Sequence, residues 1–296
     1  MSEVLRVSLS AGYPGRPKAL KQIDLEVQSG EILALVGQSG SGKSTIALAI
    51  LGLLAMRGGS ARGRIDFGGS DLLQLPERRL REIRGRRIAL VPQSPIASLN
   101  PALKIGAQFR EAWRAHRPLE GDRWRREAID ALQLASLSSG AMILDRYPRE
   151  LSVGLAQRVL IAMAILHRPE LVIADEPTSA LDVITQSEIL RLFTELNQRL
   201  GTSILYISHD LLSVAAVSHR VAILAEGEIV ELGPTPEVFA SPRHPYTRRL
   251  IASLPAHPVY GSSAPPDIGS VAALMNQIQT ADNLKVHGAE KTGKTR

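Results

Sequence analysis

A lysine in a glycine-rich loop and two adjacent carboxylates far along the chain are the residues best suited to chemistry. Residues 37–45 read Gly-Gln-Ser-Gly-Ser-Gly-Lys-Ser-Thr. Backbone N–H groups in such a turn can surround a polyphosphate at a helix N-terminus. Gly37 and Gly42 let the backbone come close, Lys43 reaches the β- and γ-phosphates, and Ser44 offers a hydroxyl to Mg²⁺. Ser39, Gly40 and Thr45 complete the candidate contacts of the loop. The carboxylates are Asp175 and Glu176, which end the apolar run Leu171-Val172-Ile173-Ala174. Asp175 can hold Mg²⁺, directly or through water. Glu176 can polarise an attacking water, help typically worth roughly 10²–10⁴-fold in rate. Together these residues point to hydrolysis or transfer of a nucleotide phosphoryl group.

That chemistry needs a strand before the loop and a helix after it. Ile32 to Val36 is a short apolar run suited to a buried strand, and Ile46, Leu48, Ile50, Leu51 and Leu54 recur at helical spacing. Residues 288–295, Gly-Ala-Glu-Lys-Thr-Gly-Lys-Thr, match the same pattern but have neither flank, so that match is accidental. Further strands are expected at 23–27, 64–67, 88–91, 171–174, 203–207 and 221–224. Between Ser94 and His167 the strand signal gives way to helical stretches at 105–115, 123–134 and 155–167. More helices are expected at 183–200 and 211–217. Alternating strands and helices imply an α/β fold with a mainly parallel sheet, and the block at about 94–168 reads as an inserted helical subdomain. After about Pro258 a linker-like Gly-Ser-Ser-Ala-Pro-Pro stretch opens a polar tail, 258–296, expected to be flexible.

Composition narrows the class. The 296 residues include no cysteine, which excludes disulfides, thiolate catalysis and cysteine-ligated metal. No run of about 18 apolar residues occurs, so a membrane span is not expected. The net charge of +6 invites a nucleic-acid reading, but the basic runs at 78–87 and 110–126 are interleaved with Glu77, Glu82, Glu111 and Glu120. A solvated helix face explains them better, and no nucleic-acid partner is expected.

Three further fragments identify a family. Gln93 follows the strand at 88–91, residues 151–158 read Leu-Ser-Val-Gly-Leu-Ala-Gln-Arg, and His209 follows the strand at 203–207. In this order, with Ser179-Ala180-Leu181-Asp182 after Glu176, they resemble the ATP-binding subunit of an ABC transporter over about residues 1–257. The resemblance implies a P-loop NTPase core of ABC type with an antiparallel β part and the inserted helical subdomain. It implies that Gln93 links the γ-phosphate and Mg²⁺ to that subdomain. It also implies that His209 steadies the water beside Glu176, and that adenine stacks on Tyr13. Ser152, Gly154 and Gln157 would act on ATP bound to a second ATPase subunit, with Asp182 at the interface. The remaining implied partners are two membrane permease subunits and an extracytoplasmic solute-binding protein, with this chain peripheral on the cytoplasmic face of the inner membrane.

The family's segment is usually Leu-Ser-Gly-Gly-Gln; here Val153 and Leu155 replace a Gly and the Gln. Val153 restricts a backbone meant to abut phosphate, and Leu155 cannot return a side chain to the helix cap. A weakened but surviving contact is expected, and a non-identical second ATPase. Ser98-Leu99-Asn100-Pro101, His244-Pro245-Tyr246-Thr247-Arg248, Met56 to Ser60 and Tyr147-Pro148 are similar to the oligopeptide, dipeptide and nickel importer group. Many relatives carry an iron–sulfur cluster on C-terminal cysteines; none is expected here. Peptide import energised by ATP is the leading reading. Nickel or another small solute is the alternative cargo, and a nucleic-acid-associated ABC ATPase or a P-loop kinase the alternative classes.

Overall fold

The computed structural model describes residues 3–117 and 123–254. Its strands are β1 (Glu3–Tyr13), β2 (Arg16–Gln28), β3 (Ile32–Val36), β4 (Ser60–Phe67) and β5 (Ser70–Asp71), followed by β6 (Ile88–Val91), β7 (Leu171–Asp175), β8 (Ser203–Ser208), β9 (Arg220–Ala225) and β10 (Glu228–Pro234). All join one sheet in the order β5-β4-β1-β2-β10-β9-β3-β8-β7-β6. One end, β5 to β2, is antiparallel. The other, β9-β3-β8-β7-β6, is parallel throughout. β10 is antiparallel to β9 and meets β2 at Glu228 and Gln22.

Parallel strands covered on both faces need apolar residues at every position, and β3 has them: all five of its residues are buried. Ile32, Ala34 and Val36 face one core with the helical block, while Leu33 and Leu35 face the other with the helix Lys43–Ile50. Between β6 and β7 the described residues form only helices, chiefly Ile105–Arg114, Trp124–Leu134 and Val153–Ile165. Phe109, Trp113, Leu132 and Val159 bury themselves among these helices and the sheet. The last of the three starts two residues before the expected 155, because the Ser152 hydroxyl accepts the Leu155 N–H at 3.2 Å and makes Ser152 the cap. The basic run at 78–87 forms a short exposed helix, Glu77–Ile83, whose arginines pair with Glu77 and Glu82.

Strand β10 and the helices Thr235–Ala240 and Pro245–Ala252 were not legible beforehand. The β9–β10 hairpin turns through Glu226 and Gly227 at φ of +48° and +79°, the left-handed pair that a two-residue loop of this kind requires. A glutamate in the first of those positions hides the signal that Asn-Gly or Asp-Gly would have given. The sequence-predicted tail at 258–296 and the second loop-like match at 288–295 lie outside the described residues. Among the described residues, no helix is long and apolar enough to cross a membrane.

The consequence for function is one of direction. β3, β6, β7 and β8 run parallel, and the residues immediately beyond their C-terminal ends include Gly37, Gln93, Glu176 and His209. Ligands in open α/β sheets bind at this edge.

Candidate active site

The loop that leaves β3 turns into the helix Lys43–Ile50 at Gly42, whose φ of +117° is strained for any residue with a Cβ. Lys43 is only 5% exposed, and its ammonium donates to the carbonyls of Gly37 at 2.7 Å and Gln38 at 3.1 Å. Burial pulls its pKa below the ordinary lysine value, with the charges of Glu176 and Asp175 pulling the other way. Inside the same loop the Ser41 hydroxyl is buried without a hydrogen-bond partner. A buried cation and an unsatisfied hydroxyl in one loop fit an anion with several oxygens.

Asp175 ends β7, beside the Ser44 and Lys43 start of the phosphate helix. Burial raises its pKa and the Glu176 charge adds to the rise; Ser44 and Lys43 oppose them. Glu176 follows at φ +47°, in the left-handed region, and its N–H is held by the Ile207 carbonyl of β8 at 2.9 Å. Backbone of this kind costs of order 1–3 kcal/mol and survives only where its surroundings impose it. The turn aims the carboxylate at three donors. Lys43 Nζ lies 3.9 Å from one oxygen; Gln93 Nε2 donates to the other at 2.9 Å, and His209 Nδ1 lies 3.2 Å from that same oxygen. The Glu176 side chain is 18% exposed, His209 57%, so the histidine stands at the mouth and the glutamate behind it.

Tyr13, at the end of β1, brings its hydroxyl 3.3 Å from Thr45 Oγ1, which puts the ring beside the start of the phosphate helix. Two contacts of the loop were missed from sequence. Arg16 donates to the Gly40 carbonyl at 3.0 Å, and Tyr246 accepts the Gln38 N–H at 3.3 Å. The family motif around Tyr246 was the available signal, but nothing in its spacing says where its helix docks.

Ser152, Gly154 and Asp182 sit elsewhere. Ser152 caps its helix from an exposed position, and Val153 beside it is 41% exposed. Asp182 is exposed and caps the helix Val183–Leu200, accepting Thr185 N–H at 3.0 Å and the Thr185 hydroxyl at 2.7 Å. A Cβ on Gly154 would stand 2.7 Å from Thr185 Cγ2, so the segment and that helix start are packed together. Gln157 corrects the expectation: it is 0% exposed, with neither side-chain polar atom hydrogen-bonded. One turn further into the helix than Ser152, its side chain points into the core and has no access to a partner's nucleotide.

The Ser44 hydroxyl and the Asp175 carboxylate stand near one another and are the two protein groups that would hold Mg²⁺. Among the described residues no cluster of three or more His, Asp or Glu could hold a metal unaided.

Known proteins resemble this chain over most of its length. Residues 20–179 match the family described as "ABC transporter", and residues 230–277 match "Oligopeptide/dipeptide transporter, C-terminal region". The chain is 43% identical over 244 residues to the oligopeptide transport ATP-binding protein OppD of Bacillus subtilis, covering 82% of this chain and 68% of that one. It is 41% identical over 251 residues to the dipeptide transport ATP-binding protein DppD of Escherichia coli, covering 84% and 77%. Among solved structures it resembles cbiO1 of Clostridium perfringens, part of the ABC transporter complex cbiONQ, with a TM-score of 0.70, 30% identity, and coverage of 86% and 97%. A dimeric post-hydrolysis state of the ATP-binding cassette MJ0796 bound to ADP and Pi superposes with a TM-score of 0.67 at 27% identity, covering 79% and 99%.

Proposed function

From the premise that this chain belongs to the ABC transporter ATP-binding proteins of the oligopeptide/dipeptide family, we propose that it hydrolyses ATP to drive peptide import, with Glu176 as general base. The observation that carries the assignment of the base is the placement of the Glu176 carboxylate between Lys43, Gln93 and His209. Gln93 donates a hydrogen bond to that carboxylate, and Lys43 and His209 flank it from two other elements at 3.9 and 3.2 Å. Lys43 donates to the loop carbonyls of Gly37 and Gln38, and with ATP bound its donors would turn to the β- and γ-oxygens, where the charge is better satisfied. His209, exposed at the mouth, is placed to hold the γ-phosphate and the water in line with Glu176. Gln93 ties the same carboxylate to the helical block, so loss or gain of the γ-phosphate is felt at the first helices after β6.

Ser44 and Asp175 would hold Mg²⁺, which when bound offsets phosphate charge as the terminal P–O bond breaks. Tyr13 supplies an aromatic face for adenine. Ser152, Gly154 and the exposed Asp182 form the surface for ATP on a second ATPase subunit. That subunit is a different chain in our reading, because Val153 and Leu155 depart from the usual segment. The pair works beneath two permease subunits supplied by an extracytoplasmic binding protein, on the cytoplasmic face of the inner membrane. The domain that does this work spans residues 1–257, with the helical block at about 94–168 inserted.

Glu176→Gln is the test. Turnover should fall by roughly 10²–10⁴-fold while nucleotide affinity, measured by calorimetry, is kept. A variant that retains most of its activity removes Glu176 from this role.

A further inference from the structure

The segment His244-Pro245-Tyr246 plays no part in the chemistry above, yet it touches the phosphate loop. Tyr246 lies in the helix Pro245–Ala252, and its hydroxyl accepts the N–H of Gln38 at 3.3 Å, across 208 residues of sequence. Leu250, one turn on, lines a cavity together with Gly37, Gln38, Ser39, Glu176 and His209. This helix is therefore a wall of the catalytic cleft.

Its placement is over-determined. Glu231 on β10 accepts the N–H groups of Arg243 at 2.8 Å and His244 at 3.0 Å. Burial acts to raise the Glu231 pKa, but those bonds outweigh it and hold the carboxyl below its ordinary value. The His244 ring then accepts the Tyr246 N–H at 3.2 Å as the cap of the helix. Pro245 occupies the first turn, where the N–H it lacks has no partner inside the helix. β10 pairs with β9, β9 pairs with β3, and β3 runs into Gly37 and Gln38. The contacts close a ring, β3 to loop to Tyr246 to Glu231 and back through β9.

The loop needs such a brace. Gln38 is exposed, and its N–H shares a planar peptide unit with the Gly37 carbonyl, which receives the Lys43 ammonium at 2.7 Å. We propose that Tyr246 is a positioning residue for ATP hydrolysis: its hydroxyl fixes the Gly37–Gln38 peptide plane, and through it the site from which Lys43 is delivered to the phosphates. The proposal rests on the ATPase reading above and assigns to that site a structural element C-terminal to the last strand. It assigns the work to the Tyr246 hydroxyl and not to the ring alone.

Tyr246→Phe in the full chain keeps the ring and deletes only the acceptor. Losing one net hydrogen bond, worth about 0.5–1.5 kcal/mol, should lower kcat/KM for Mg·ATP in the assembled complex by about two- to tenfold, with the unfolding midpoint lowered by no more than a few degrees. Hydrogen exchange at the Gln38 amide should accelerate by a similar factor, a readout that a packing role would leave still. Tyr246→Leu should lower kcat/KM at least as far and also destabilise the fold. If Tyr246→Phe matches wild type in kcat/KM and in Gln38 exchange while Tyr246→Leu is impaired, only the ring matters and the proposal is overturned. If the wild-type chain assembled with its partner subunits fails to hydrolyse Mg·ATP while binding it, the ATPase reading fails first, and Gln38 exchange still decides whether the brace exists.

Discussion

The catalytic edge and the Ser152–Asp182 surface differ in how much of their chemistry the chain contains. At the edge, groups from separate elements converge: Lys43 Nζ lies 3.9 Å from Glu176, and Glu176 accepts from Gln93 with His209 beside it. At the other surface the polar groups are spent locally. Ser152 and Asp182 each cap their own helix, and around them Val153, Val183 and Ile184 are 41%, 70% and 59% exposed. Exposed apolar residues around polar helix caps suit a face that another subunit covers. In the function proposed above, the first region holds this chain's own nucleotide and the second faces a nucleotide on a partner subunit.

Variants can break or sharpen that contrast. Glu176→Gln strikes the first region and carries the largest expected loss. Lys43→Ala comes next. It removes a charge-assisted donor worth about 1.5–3 kcal/mol, so ATP affinity measured by calorimetry should drop about 10–100-fold. Affinity equal to wild type would mean the ammonium stays on Gly37 and Gln38 when ATP is bound. On the other surface, Val153→Gly with Leu155→Gln should leave ATP affinity alone and raise turnover several-fold, but only in an assembled complex. The same gain in the isolated chain would break the contrast, since it would place the segment at this chain's own nucleotide.

The smallest effect concerns stability. Burial raises the Asp175 pKa, so between the ordinary carboxylate value and the raised one the folded state holds a proton that the unfolded chain releases. Stability from this group is therefore greatest below that window and declines as pH climbs through it. At neutral pH the ionised Asp175 destabilises the nucleotide-free fold. Asp175→Asn should raise the unfolding midpoint without nucleotide, while Mg²⁺-dependent hydrolysis collapses. A midpoint that falls would show that Ser44 and Lys43 outweigh burial.

Much of this architecture was legible because it is local. The apolar run of β3, the glycines of the loop and the period of the helix at 183–200 announce themselves within a few residues of each other, and those elements lie where they were expected. Gln93, Glu176 and His209 could each be named as residues just beyond a strand. Gln157 could not be placed correctly, because one turn of helix separates a surface position from the core and Leu155 broke the expected pattern beside it. Strand β10 is polar and half-exposed, with a Glu-Gly turn, so neither periodicity nor turn chemistry marked it.

The sequence alone determined which groups are available, namely the phosphate cradle, the acidic pair and the strands that deliver them, since short-range pattern encodes local structure. Tertiary structure alone decided their company. The left-handed turn at Glu176 and the docking of Tyr246 on Gln38 depend on residues tens to hundreds of positions apart. Such contacts arise only when the parallel strands are stacked in one order, and no local propensity specifies that order.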